Sequence, residues 1–156
     1  MKLDELQAEW KKDSQIDELI SNGVTSRGVA TPDHVIRIKA KPLILSRSIQ
    51  SGGAKEILKA IKLFVQDYAE YFDSWSAVSN CPKVMLDPLP KVVWVEGMGL
   101  IGIGGSMKEA KIITDLAVQN VRVIADGEAA GGFYPVRDKN LFDMEYWVLE
   151  QAKLVK

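Results

Sequence analysis

Apolar positions at the start of the chain recur every three or four residues, as Leu3, Leu6 and Trp10 and then Ile16, Leu19 and Ile20, with charged residues between them. That spacing puts one apolar stripe on a helix, so the pattern predicts one interrupted or two short amphipathic helices, each needing a surface to pack on. Ser21-Asn22-Gly23-Val24-Thr25-Ser26-Arg27-Gly28 is rich in turn formers and reads as a linker. It divides a helical arm, residues 1–26, from a main domain, residues 27–156. Thr31-Pro32-Asp33 suits a helix start, because the threonine hydroxyl can cap and the proline loses nothing at the first helical position. Pro42 keeps this helix short by biasing Lys41 toward extended backbone, and Leu43-Ile44-Leu45 then reads as a small buried strand.

After the turn at Ser51-Gly52-Gly53, Ile57, Ile61, Phe64, Val65, Tyr68 and Phe72 share one face of a helix of about 19 residues. From Asp73 to Pro90 periodicity fades and prolines accumulate, which predicts an irregular connection. Val92-Val93-Trp94-Val95 is a continuous apolar run, the mark of a strand covered on both faces. Past a glycine-rich turn, Ser106 and Glu109 form a capping box for a helix carrying Ala110, Ile113, Ala117, Val121 and Ile124 inward and running to about Ala130. Gly131-Gly132 stops it, and Leu141 to Leu154 reads as one further helix. The whole predicts a layered α/β domain, with Val92–Val95 central and the helices beginning near Ala54 and Ser106 covering the sheet.

The 156 residues suffice for one domain, and no stretch reaches the apolar length of a membrane span. Met1-Lys2-Leu3-Asp4-Glu5-Leu6 alternates charge and leucine where a secretory signal would be apolar, so the expected location is cytoplasmic, away from membranes. One cysteine and one histidine exclude the usual zinc ligand sets built from those residues. The acids Asp33, Glu96, Asp126, Glu128, Asp143, Glu145 and Glu150 show no ligand spacing and read as solvated helix surface.

Net charge is −1, yet residues 27–62 carry eight basic side chains against two acids. This asymmetry makes Asp33, His34, Arg37 and Lys39 a candidate contact for phosphate or a phosphorylated sugar, with Arg37 supplying a planar fork and Lys39 a point charge. The competing reading is a solvated face on which Asp33 and Arg37 form an ordinary ion pair. The basic residues are too sparse for a nucleic-acid footprint, so no nucleic-acid partner is expected.

Gly97-Met98-Gly99-Leu100-Ile101-Gly102 follows the central strand and matches the dinucleotide fingerprint literally, making Gly97, Gly99 and Gly102 a candidate nucleotide loop. The fingerprint needs a helix to begin at its last glycine, whereas Ile103-Gly104-Gly105 delays the helix to Ser106. A close-packed strand-to-helix turn is the simpler reading.

Three segments in order, Ala30 to Lys39, Asp87 to Gly105 and Asp143 to Leu154, resemble the bifunctional rhamnulose-phosphate aldolase/alcohol dehydrogenase family. In that family a class II, adducin-like aldolase domain precedes a short-chain dehydrogenase domain, and the region resembled lies between the two catalytic parts. The resemblance implies a partial aldolase-like fold. It implies a divalent metal and NAD for the full-length enzymes, and no cofactor for the isolated chain. Val95 to Gly104 resembles the family's histidine-glycine-leucine unit with Met98 in the histidine position, and thioether does not suit a hard metal. Tyr146 and Lys153 miss the tyrosine-x-x-x-lysine spacing of the dehydrogenase. The expected role is a noncatalytic or accessory module acting in packing or oligomerisation, as a homo-oligomer or beside a companion catalytic chain, and inactive alone. The alternatives are a subunit contributing to a sugar-phosphate aldolase or dehydrogenase active site, and a small NAD-binding protein.

Overall fold

A computed structural model describes residues 5–24, 27–79 and 81–152. Strand β1 (Gln7–Lys11) leads into helix α1 (Gln15–Ser21), and a 3-10 turn at Pro32–His34 runs into the single helical turn α2 (Val35–Ile38). Strand β2 (Leu43–Leu45) and helices α3 (Arg47–Ser51) and α4 (Gly53–Ser76) precede the hairpin β3 (Val92–Val95) and β4 (Gly99–Gly104). Helices α5 (Met107–Ala129), α6 (Asp138–Glu145) and α7 (Val148–Gln151) complete the chain. The sheet order is β1-β4-β3-β2, antiparallel except for the parallel β3–β2 pair.

As the apolar run predicts, β3 is interior and every one of its residues is buried. Val92 and Trp94 face the larger core, built with Leu100 of β4 and with Ile113, Ala117, Val121 and Ile124 of α5. Val93 and Val95 face the opposite way, under Ala60, Ile61 and Phe64 of α4. The two long helices therefore cover opposite faces of the sheet. Ser106 Oγ accepts from the Glu109 amide at 3.2 Å, and Glu109 Oε2 accepts from the Gly105 amide at 2.8 Å. Those two bonds satisfy N–H groups that the helix start leaves unpaired.

The N-terminal expectation fails in part. Residues 7–11 are a strand rather than a helix, pairing antiparallel with β4 so that Trp10 lies opposite Ile101 and Ala8 opposite Ile103. Helix α1 forms where expected and finds its packing surface within this chain, with Ile16 and Leu19 buried in the main core. Within the turn-rich stretch Val24 is buried and the Gly28 carbonyl accepts from Asn120 of α5; directly after it Val29 is buried and the Ala30 amide donates to Asn120 Oδ1. Thr25 and Ser26 of that stretch lie outside the described residues, as do Met1 to Asp4 of the expected arm.

Two further corrections concern boundaries. Thr31 is extended before the 3-10 turn, as expected, but its side chain makes no capping bond. The C-terminal helix breaks at Tyr146 and Trp147, because Tyr146 turns into the core beside Phe142 while its freed carbonyl accepts from Lys83 Nζ at 3.0 Å. Lys153 to Lys156 lie outside the described residues.

Candidate functional site

The glycines of the apparent fingerprint do not gather at a helix start. Gly97 and Gly99 belong to the β3–β4 hairpin, both at positive φ, and the Gly97 amide donates to Asp17 Oδ1 at 2.7 Å. Gly102 sits mid-strand in β4, where a Cβ would overlap Thr114 Oγ1 and come within 2.8 Å of the Ala110 carbonyl oxygen. Its smallness lets α5 approach the sheet, so the geometry does not fit a pyrophosphate cradle.

The basic segment divides. Asp33 is exposed and Arg37 half-buried. His34 is half-buried, its Nδ1 is buried without a hydrogen-bond partner, and burial lowers its pKa against the opposing pull of Asp33. Lys39 differs from the others: it is 5% exposed and lines a cavity of about 550 Å³ whose walls do not include Asp33, His34 or Arg37. Of the four residues, only Lys39 lines this cavity.

Lys39 follows the last residue of α2 with φ 60° and ψ 171°, the only non-glycine residue at positive φ among those described. This region is essentially reserved for glycine and costs on the order of 1–3 kcal/mol elsewhere. The surrounding packing imposes it, with Val35, Ile36 and Ile38 pinned in the core on one side and Pro42 directing the chain into β2 on the other. The strain turns the lysine stem inward, and Nζ lies 3.5 Å from the centroid of the Tyr68 ring, on the negative face that attracts a cation.

Behind that ring is a network that the sequence pattern did not reveal. The Tyr68 hydroxyl donates to Glu145 Oε1 at 2.8 Å and lies 2.8 Å from the Tyr146 hydroxyl, which in turn accepts from the Leu86 amide at 3.3 Å. Glu145 is 1% exposed, so the expectation that it belongs to solvated surface is overturned; Glu150 is likewise buried. Burial pushes the Glu145 carboxyl above its ordinary value, opposed by the Lys39 charge and by the Tyr68 and Tyr71 hydroxyls. Glu145 Oε2 and the Tyr71 hydroxyl are both buried without a well-formed hydrogen bond, although the hydroxyl is near enough to favour the carboxylate. Tyr68, Tyr71 and Tyr146 are all shifted upward, chiefly by burial. Lys39 is lowered to about 8, first by burial, with Lys91 adding to the effect and Glu145 and Asp87 opposing it.

Periodicity correctly placed Tyr68 on the inner face of α4, but nothing in the spacing announced that its hydroxyl meets an acid 77 positions away. Among the described residues, no group of three or more His, Cys, Asp or Glu side chains is placed to hold a metal ion. The described donors are therefore not arranged to hold a divalent ion.

The match to known sequences follows the same sheet and core. The family described as "Aldolase class II, second domain" matches residues 7–154, from the first residue of β1 to beyond α7. The chain belongs to that family. A relative from Bacillus subtilis (strain 168), the uncharacterized oxidoreductase YuxG, is 25% identical over 128 residues, which cover 81% of this chain. The chain spans only 19% of that relative's length. No solved structure gives a significant match. Among the described residues, no helix is long and apolar enough to cross a membrane.

Proposed function

We propose that this second-domain chain is a noncatalytic accessory module that packs against the catalytic part of a class II aldolase. The observation that carries this reading is the unevenly covered sheet. Helix α4 lies over the β2–β3 half of one face, where Leu43, Val93 and Val95 are buried. On the β1–β4 half of the same face Ile101 and Ile103 are only partly buried, and Trp10, opposite Ile101, is 54% exposed. An apolar strip that runs across β4 onto the outer strand β1 favours a covering partner over contact with water. The matched relative is several times longer than this chain, which supports a catalytic polypeptide as the occupant, and its oxidoreductase name supports the finer link to bifunctional aldolase/dehydrogenases.

Sedimentation of the full chain with a family class II aldolase catalytic polypeptide tests the proposal. We expect a complex, and at least a tenfold loss of affinity in Trp10→Glu, which places a charge on the strip while leaving the buried face untouched. No complex, or equal affinity for both forms, sinks it. Self-association of the chain that Trp10→Glu abolishes, without binding to the aldolase, would instead mark the strip as a contact between copies.

The resemblance also raises sugar-phosphate contact and NAD binding. The cavity beside Lys39 favours small-molecule binding of some kind. No comparable observation favours NAD, given the hairpin geometry of Gly97, Gly99 and Gly102.

A further inference from the structure

The cavity that Lys39 lines lies beside the β2 edge of the sheet, away from the β1–β4 strip. Its walls combine apolar and aromatic side chains, among them Pro42, Ile44, Tyr68 and Trp75, with the charged Lys41, Asp67, Glu70 and Asp138, and Lys39 is the buried amine among them. At about 550 Å³ it falls within the range of small-molecule sites. We propose that Lys39 is a reversible covalent anchor for a small aldehyde or ketone, held in this cavity as an imine on Nζ.

The geometry carries that chemistry, and the electrostatics agree with it. The stem is fixed by a strained backbone at φ 60° and by a position over the Tyr68 ring, so the amine is pre-positioned rather than sweeping through solvent. Lys39 is 5% exposed, and desolvation activates a lysine because burial favours the neutral, nucleophilic form. Glu145 and Asp87 hold the proton on and Lys91 helps to remove it, while Lys41, Asp67, Glu70 and Asp138 line the same cavity. Burial dominates, leaving Lys39 with a pKa of about 8. At pH 7 roughly a tenth of the amine is then neutral, about 200 times the fraction at an exposed lysine.

The step balances without an oxidant or reductant. The ammonium first releases one proton to water. The Nζ lone pair then attacks the carbonyl carbon, forming the C–N bond as the carbonyl π pair moves to oxygen, and proton transfer from nitrogen to oxygen gives the neutral carbinolamine. Loss of that oxygen as water, with the second amine proton, leaves C=N. Hydrolysis reverses every step.

The test uses the full chain with limiting glycolaldehyde and sodium cyanoborohydride, whose hydride fixes the imine as a stable secondary amine, followed by peptide mapping by mass spectrometry. We expect Lys39 to be modified at pH 7 at least tenfold faster than the median exposed lysine. This is less than the 200-fold ratio in neutral amine because a less basic amine is also less nucleophilic. Its rate should rise with pH and level off above about 8, while exposed lysines continue to gain toward their ordinary pKa. Modification of Lys39 no faster than its exposed counterparts, or with their pH profile, overturns the proposal. Because both readouts come from the unmutated protein, they do not depend on a variant that folds. Trp10→Glu should leave Lys39 labelling unchanged, so failure of the packing proposal and failure of this one are distinguishable.

Discussion

Replacing Lys39 by methionine keeps a long, unbranched stem in the core and removes the charge, and its effect on stability should depend on pH in a defined direction. The folded state holds this lysine at about 8, against an ordinary 10.5. Between those values the unfolded chain binds more protons than the folded one, so the contribution of Lys39 to stability rises with pH. At neutral pH the shift amounts to about 3 kcal/mol of destabilisation, of which about 2 kcal/mol is recovered between pH 7 and 9.5. Glu145 acts in the opposite direction, because its pKa is raised in the fold, and loss of the Lys39 charge would raise it further. The stability of Lys39→Met should therefore stay level or fall over the interval in which the unmutated chain gains. Equilibrium urea unfolding followed by tryptophan fluorescence at pH 7, 8, 9 and 9.5 measures the difference. The upper limit matters, because above pH 10 tyrosines of the unfolded chain ionise while Tyr68, Tyr71 and Tyr146 resist doing so in the fold. Parallel pH profiles for the two proteins would refute the argument that burial of Lys39 carries a titratable cost.

Gly102→Ala should destabilise the fold by about 1–3 kcal/mol, the usual cost of overpacking, because the added methyl meets Thr114 and the Ala110 carbonyl where α5 crosses β4. A fall in urea midpoint with unchanged slope would establish it, and a neutral result would show that α5 can shift away from the sheet. Ser106→Ala should cost about 1 kcal/mol by removing the acceptor for the Glu109 amide. Amide exchange in the first turn of α5 should accelerate, and unchanged protection there would count against the cap.

Elements whose signals are local were legible in the chain before any folding. The continuous apolar run of Val92 to Val95 could only be satisfied by cover on both faces, and both faces are covered. The Ser106 cap and the inward series from Ala110 to Ile124 set the start, face and length of α5, while Ile61, Phe64 and Tyr68 oriented α4. These features depend on bonds and burial within a few turns of chain, so pattern suffices.

The remaining features depend on contacts between distant segments. Leu6 and Trp10 are spaced for a helix, yet residues 7–11 form a strand because β4 offers an edge whose backbone groups must be paired, and that ladder outweighs a weak local preference. The glycines from Gly97 to Gly102 spell a nucleotide fingerprint, but hairpin closure and the close approach of α5 account for them in space. Lys39 looked like one basic residue in a solvated series, and Glu145 like one acid among several. Neither spacing nor composition could bring them together, since their coupling passes through Tyr68 on a third element, and only packing of α4 and α6 around the end of α2 removes both from water.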